Sequence, residues 1–137
     1  INTQFDQLCE ICNNFQPTAV INFAAQGEVR NSWQWPEQWY QTNALSAVRL
    51  MDFLTNQSYL QRYVAISTPE VYGSTVLNIK ENHHYMPSTP YAVSKLTCDL
   101  HGFANFKRYG FPFVVTRAAN LYGIHQQLYR IIPRTIN

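Results

Sequence analysis

Residues 63–69, Tyr63-Val64-Ala65-Ile66-Ser67-Thr68-Pro69, set a short apolar run against an abrupt hydroxyl-bearing stop. Such a run, partly β-branched and closed by proline, reads as a buried strand over 63–66 whose polar end opens into a loop. Upstream of it, Tyr40, Ala44, Ala47, Val48, Met51 and Leu54 recur on one helical face, which predicts a long helix over residues 37–55 with Met51 in the core. Downstream, Gly73 to Pro87 reads as a polar loop, and Pro87-Ser88-Thr89-Pro90 then forms a helix start. Ser88 or Thr89 can cap, and Pro90 suits a first turn, where its missing N–H costs nothing. That helix runs over 90–109, and Gly110 ends it.

The alternation continues in both directions. Ala19-Val20-Ile21-Asn22-Phe23-Ala24-Ala25 reads as another buried strand, preceded by a helical pattern of Phe5, Leu8, Cys9, Ile11 and Cys12 that Pro17 closes. Phe113-Val114-Val115-Thr116-Arg117 is a third strand, and after a loop with Gly123 a short helix is expected over 130–136. Strands alternating with long helices imply an α/β fold, a parallel sheet with crossover helices. Ligands bind such sheets beyond the carboxyl ends of the strands, which directs attention to residues 24–31, 67–73 and 118–123.

Composition narrows the function. Of the 137 residues, 46% are hydrophobic and only 13% charged, the balance of a packed domain and not of a disordered tail. The net charge is +2 without a run of Lys or Arg, so no nucleic-acid partner is expected. No apolar stretch approaches the roughly 20 residues that cross a bilayer, and no membrane partner is expected. The chain starts at Ile1 without a signal-peptide pattern and stops at Asn137 inside a periodic run, which reads as an interior piece of a longer protein. Cys9 and Cys12 form a C-x-x-C, the spacing of a redox pair or half a zinc site, but they lie in a helical pattern, no second C-x-x-C follows, and Cys98 is distant. Free thiols fit a reducing compartment, so the expected location is cytoplasmic. His83 and His84 share a polar loop with no further ligand nearby, so no metal site is assigned to them. Trp33, Trp35 and Trp39 read as packing of a loop under the long helix, with stacking on a ligand the alternative.

The chemistry concentrates in Tyr91-Ala92-Val93-Ser94-Lys95, a Y-x-x-x-K. Residues four apart share a helix face, so the phenol and the ammonium can address one site. A nearby cation favours the phenolate, and a phenolate can take a proton from a hydroxyl while a hydride leaves the same carbon. A surface Tyr and Lys on an ordinary helix is the plain alternative. The context favours chemistry, because the motif opens a helix that follows a strand ending in Ser67-Thr68. Arg117 has two readings, a phosphate contact or a buried ion pair at the strand end.

Ala24-Ala25, Asn43, Ser67-Thr68-Pro69-Glu70-Val71-Tyr72-Gly73, Pro90-Tyr91-Ala92-Val93-Ser94-Lys95 and Arg117-Ala118-Ala119-Asn120-Leu121-Tyr122-Gly123 occur in one order and spacing. Together they resemble the extended short-chain dehydrogenase/reductase family, of the NAD-dependent epimerase/dehydratase type. The likeness is closest to the nucleotide-sugar 4,6-dehydratases acting on dTDP-glucose or GDP-mannose. It implies a Rossmann-like doubly wound parallel sheet, present here as the second half of an NAD-binding domain, residues 1–137. The Gly-rich N-terminal βαβ unit and most of a C-terminal substrate domain would lie outside. It further implies NAD in preference to NADP, a nucleotide-sugar substrate, and a homodimer for the full-length protein.

The resemblance also assigns roles. Tyr91 would be the base for hydride transfer, and Lys95 would hold the nicotinamide ribose and depress the Tyr91 pKa. Thr68 would bond the sugar 4-hydroxyl. Ser67 would lie at the cofactor, Ala24 and Ala25 would let it approach the backbone, and Ala119 would lie near the nicotinamide. Asn43 would organise the site internally. Asn120 would contact the sugar nucleotide, and Arg130 and Ile131 would begin the nucleotide-binding stretch. Glu70 stands where the dehydratases place the base that removes the C5 proton; a carboxylate paired with a nearby cation is the alternative. Pro69 departs from the Asp of the dTDP-glucose enzymes, as the GDP-mannose enzymes also do. Gly27, Arg30 and Asn31 depart from the dTDP-type loop. The expected function is therefore 4,6-dehydration. The alternatives are a 4-epimerase, a UDP-hexuronate decarboxylase, or a non-catalytic dinucleotide sensor, and the retained Tyr and Lys argue against the last. In the doubly wound order the strand at Val20 should pair with a strand outside this sequence, leaving an apolar, open edge.

Overall fold

The computed structural model of the protein describes residues 3–75, 78–81 and 83–136. Its centre is the strand β2 (Arg62–Ile66), which pairs in parallel with β1 (Ala19–Asn22) on one side and β3 (Phe113–Thr116) on the other. The register aligns Val20, Tyr63 and Phe113 across the three strands. Parallel neighbours need crossovers, and the intervening helices supply them. The helix α1 (Phe5–Phe15) precedes β1 and ends with Gln16 in the left-handed region, just before Pro17.

One sheet face carries the core. Tyr63 and Ala65 point into it beside Leu50, Met51, Leu54, Cys98 and Phe111, with Cys12 of α1 at its margin. The Tyr63 ring stacks on Phe113 and tilts against Phe111. Its hydroxyl accepts a hydrogen bond from Asn22 Nδ2 at 2.9 Å, so the buried phenol is satisfied. Cys9, Cys12 and Cys98 are all free thiols.

The expected strand over 19–25 is shorter and less buried than its composition implies. Ile21 is 55% and Phe23 70% exposed, because β1 is the sheet's edge and only β2 pairs with it among the described residues. The chain leaves the ladder at Asn22 because that side chain turns back on the backbone, its Oδ1 accepting from the Ala24 N–H at 3.0 Å.

The expected helix over 37–55 is helical throughout but not uniform. It comprises α3 (Pro36–Trp39), a π turn at Tyr40–Leu45 and α4 (Ser46–Thr55), and a separate short turn, α2 (Val29–Ser32), precedes it. Within the wide turn Ser46 Oγ donates to the Gln41 carbonyl at 2.9 Å. Inserting a wide turn shifts the buried face, so Ala44, Ala47, Met51 and Leu54 are buried while Tyr40 is exposed. Trp39 is buried with Nε1 donating to the Gly27 carbonyl at 2.6 Å. Trp33 and Trp35 are exposed, which corrects the expectation that all three tryptophans pack.

The helix α5 (Pro90–Tyr109) begins and ends as its sequence implies. Thr89 Oγ accepts from the Ala92 N–H at 3.1 Å, Pro90 occupies the first turn, and Gly110 closes it at φ 70°. Gly102 lets this helix ride low on β3, since a Cβ there would overlap the Phe113 ring. The loop after β2 is less polar than expected: a 3-10 turn, Pro69–Tyr72, opens it, and Ile79 and Tyr85 pack against Val71 and Tyr72. The short C-terminal helix α6 spans Ile131–Ile136, one residue later than expected. No described helix is long and apolar enough to cross a membrane.

Gly102→Ala should destabilise the fold by about 1–3 kcal/mol through overpacking, as read by denaturant unfolding. The 137-residue chain by itself should self-associate through its open β1 edge. A monomeric, cooperatively melting species in size-exclusion and thermal-denaturation experiments would contradict that.

Candidate active site

The carboxyl ends of the three strands release three loops into one open cleft of about 920 Å³. Ser67, Thr68, Glu70 and Tyr91 form its floor, and Ala119, Asn120, Arg130 and Ile131 are on its walls. Eight of the residues named by the sequence therefore come together. Lys95 lies deeper, 7% exposed, one helical turn along α5 from Tyr91. Ala24 and Ala25 are exposed beyond β1 and do not line the cleft.

Local sequence fixes the floor. Thr68 follows the last residue pair of β2 and caps the 3-10 turn, its Oγ accepting from the Glu70 N–H at 3.3 Å. The turn carries the Glu70 carboxylate toward the cleft. Tyr91 sits in the first turn of α5, with the Thr68 side chain near enough to its phenol to favour the phenolate. Burial pushes the Tyr91 pKa up, and the Glu70 charge adds to this; Thr68 and the Arg130 charge pull the other way, and the net shift is upward. Glu70 is also raised, by burial.

The expected depression of Tyr91 by Lys95 is not what the geometry produces. Burial lowers the Lys95 pKa, and the nearby Asp99 carboxylate, not the phenol, opposes that shift. The Cys98 thiol, buried beside them, is pushed up to about 11. Ser67 borders the cleft, but its hydroxyl donates to Asp99 Oδ2 at 2.8 Å, so a ligand meets its backbone or its remaining lone pair.

Asn43 organises the site as the resemblance implies. Its Oδ1 accepts from the Gln26 N–H at 2.7 Å, and its Nδ2 donates to the Gln26 carbonyl and to Ser94 Oγ, both at 3.0 Å. Ser94 Oγ donates in turn to the Tyr91 carbonyl at 2.7 Å. Two residues escaped the sequence reading. Ser32 is fully buried, donates to the Val29 carbonyl at 2.6 Å and accepts from the Tyr91 N–H at 3.2 Å. Asp99, four residues after Lys95, is the buried partner of Arg117, whose guanidinium reaches its Oδ2 at 2.9 Å. That settles Arg117 as an ion pair. A helix-face count from Tyr91 through Lys95 to Asp99 was the available signal. Among the described residues no group of three or more His, Cys, Asp or Glu is placed to hold a metal.

Arg130 crosses the cleft mouth and pairs with Glu28 at 3.0 Å. Both side chains are about half exposed, so the pair adds little to stability. The arrangement as a whole offers a phenol and a hydroxyl on one cleft floor, a carboxylate beside them, and a buried lysine one turn along the helix. It suits proton removal from a carbinol and from a neighbouring carbon.

The geometry has relatives. The chain is 31% identical over 138 residues to dTDP-glucose 4,6-dehydratase of Haemophilus influenzae, a match covering 93% of this chain and 41% of that protein. Its structure is similar to that of dTDP-glucose 4,6-dehydratase from Streptomyces venezuelae solved with NAD, with TM-score 0.86 and 30% identity over 96% of this chain and 40% of that one. It is also similar to UDP-glucuronic acid 4-epimerase from Bacillus cereus in complex with UDP-glucuronic acid and NAD, with TM-score 0.85 and 26% identity over 94% of this chain and 40% of that one. The chain thus spans about 40% of the length of these relatives. Residues 3–137 match the family described as GDP-mannose 4,6 dehydratase, and with the dehydratase likeness this places the chain in that family.

Proposed function

We propose that the protein carrying this segment is an NAD-dependent nucleotide-sugar 4,6-dehydratase. The observation that carries the reading is the meeting of Thr68, Glu70 and Tyr91 on one cleft floor, with Tyr91 near the Thr68 side chain and within the electrostatic reach of Glu70. The residues fit the cofactor: Ala24, Ala25 and Ala119 are small and exposed at the strand ends, and Lys95 supplies a buried ammonium below Tyr91. Lys95 would hold the nicotinamide ribose, Ser67 and Ala119 would lie near the nicotinamide, and Ala24 and Ala25 would let the cofactor approach the backbone. Bound NAD supplies the acceptor for a hydride from the sugar C4 and its return at C6.

The chain's own groups handle the protons. Thr68 Oγ holds the C4 oxygen and Tyr91 Oη takes its proton. The ketone formed at C4 acidifies the C5 proton, and the Glu70 carboxylate removes it. Pro69 carries no proton, so the one that Glu70 gains from C5 leaves with the C6 hydroxyl as water, and a solvent proton delivered through Glu70 restores C5–H when hydride returns to C6. Asn120, Arg130 and Ile131 would hold the sugar nucleotide. The segment is read as the second half of an NAD-binding domain in a homodimeric protein, and as inactive in isolation.

A second reading is a 4-epimerase or a UDP-hexuronate decarboxylase. The likeness to UDP-glucuronic acid 4-epimerase and the missing acid at Pro69 favour it. Product analysis separates the two: loss of water selects the dehydratase, whereas CO2 release or a stereoisomer of unchanged mass selects the alternative.

In the full-length protein, Glu70→Gln should still reduce the cofactor on mixing with nucleotide-sugar. It should lose C5 proton exchange with solvent deuterium and product formation by about 100-fold or more. Unchanged turnover would sink the assignment. The rate of C4 oxidation should rise with pH, because Tyr91 must be ionised to accept the proton and burial raises its pKa. Thr68→Val deletes a hydroxyl that favours the phenolate, so it should move this rising limb to higher pH. A limb that stays in place argues against Tyr91 as the base.

A further inference from the structure

The Asp99–Arg117 ion pair reaches none of the reacting groups named above, yet it joins the elements that carry them. Asp99 lies on α5, eight residues beyond Tyr91 and four beyond Lys95, and its side chain is 1% exposed. Its Oδ2 accepts from Ser67 Oγ at 2.8 Å, from Arg117 Nε at 3.2 Å and from Arg117 Nη2 at 2.9 Å. Ser67 adjoins Thr68 at the end of β2, and Arg117 follows β3. Arg117 then donates to Tyr72 Oη at 2.6 Å and to Tyr85 Oη at 3.2 Å, with its guanidinium 5.1 Å from each ring centroid. Tyr72 closes the 3-10 turn that presents Glu70. One carboxylate oxygen therefore ties the helix of Tyr91 and Lys95, the strand end of Thr68 and the turn of Glu70 into a single body.

We propose that Asp99 is a positioning residue that, through Ser67 and Arg117, holds Thr68 and the Glu70 turn in register with Tyr91. This rests on the proposed sugar oxidation but goes beyond it, since Asp99 reaches none of the reacting atoms. A hydrogen-bonded carboxylate sets both distance and direction, whereas an apolar contact of equal volume sets only distance. Asp99 Oδ1 is buried and has no hydrogen-bond donor among the described residues. Burial raises the Asp99 pKa while Arg117, Ser67 and Lys95 lower it, so the carboxylate and the two cations around it form one electrostatic group.

The test separates positioning from mere stability. Replacing a buried ion pair by well-packed apolar residues is often neutral for stability. The full-length double variant Asp99→Leu, Arg117→Met should therefore melt within a few degrees of the parent. Its single-turnover C4 oxidation, read from the absorbance of reduced nicotinamide at saturating sugar nucleotide, should fall about tenfold or more, with KM nearly unchanged. Without any ligand, amide hydrogen exchange of the segment 67–72 should accelerate in the same variant. Ser67→Ala should lower the oxidation rate in the same direction, and Ser67→Thr, which keeps the hydroxyl, should restore it. Retention of both melting temperature and oxidation rate in the double variant would overturn the proposal, as would a loss confined to KM. If the double variant does not fold, Ser67→Ala decides, and an unaltered oxidation rate overturns it. Because C4 oxidation is common to dehydratase, epimerase and decarboxylase, a parent that forms no dehydrated product refutes the dehydratase reading alone. A parent that never reduces its cofactor refutes both.

Discussion

The buried carboxamide of Asn43 is the constraint on which the geometry of this molecule depends. It uses both ends: the oxygen and one N–H close on the backbone of Gln26, and the nitrogen reaches Ser94 under the first turn of α5. A buried amide with these partners has little freedom to rotate, since any other orientation strands a polar group away from water. The loop after β1, the π turn and α5 are therefore fixed to one another at a single point. The π turn itself sits at Asn43, which agrees with the tendency of such turns to occur where a side chain must be re-aimed.

Two polar clusters adjoin the cleft. One is Asn43, Ser94 and Ser32, which orient the backbone around Tyr91. The other is Ser67, Asp99 and Arg117, which joins the strand ends. Apolar packing of Tyr63, Met51, Leu54 and Phe113 supplies the core, and it is indifferent to small rotations in a way the polar clusters are not. This division explains why Thr68 and Tyr91 lie where conformational tolerance is low, although they sit at strand and helix ends.

Much of this was legible beforehand, for identifiable reasons. The α5 boundaries rest on local chemistry, a Thr cap with proline after it and glycine at the other end, and both survived unchanged. Thr68 and Tyr91 were readable because one follows a strand end and the other opens a helix, where this architecture places ligands, whereas Glu70 was read from the family resemblance. The edge character of β1 was inferred from the doubly wound order, yet its residues were read as buried, because Ile21 and Phe23 have the composition of a two-sided strand. Hydrophobicity records what a residue would cover, not what is present to cover it. The π turn was invisible to a period-of-3.6 count, since a wide turn leaves the apolar residue types intact and only shifts their direction. Asp99 was missed because an acidic residue inside a helix reads as surface until its cation is located in space. The Lys95 environment was missed for the same reason, as its supporting charge, that of Asp99, comes from its own helix and not from the phenol.

Gly102 gives the molecule a long mechanical arm. The absent side chain sets how closely α5 rests on the Phe113 ring, and Tyr91 lies eleven residues away on the same rod, ~16 Å at helical rise. The ring acts as a fulcrum. Adding even one methyl there would tilt the far end of the rod, so a remote hydrocarbon contact sets where Tyr91 stands relative to Thr68.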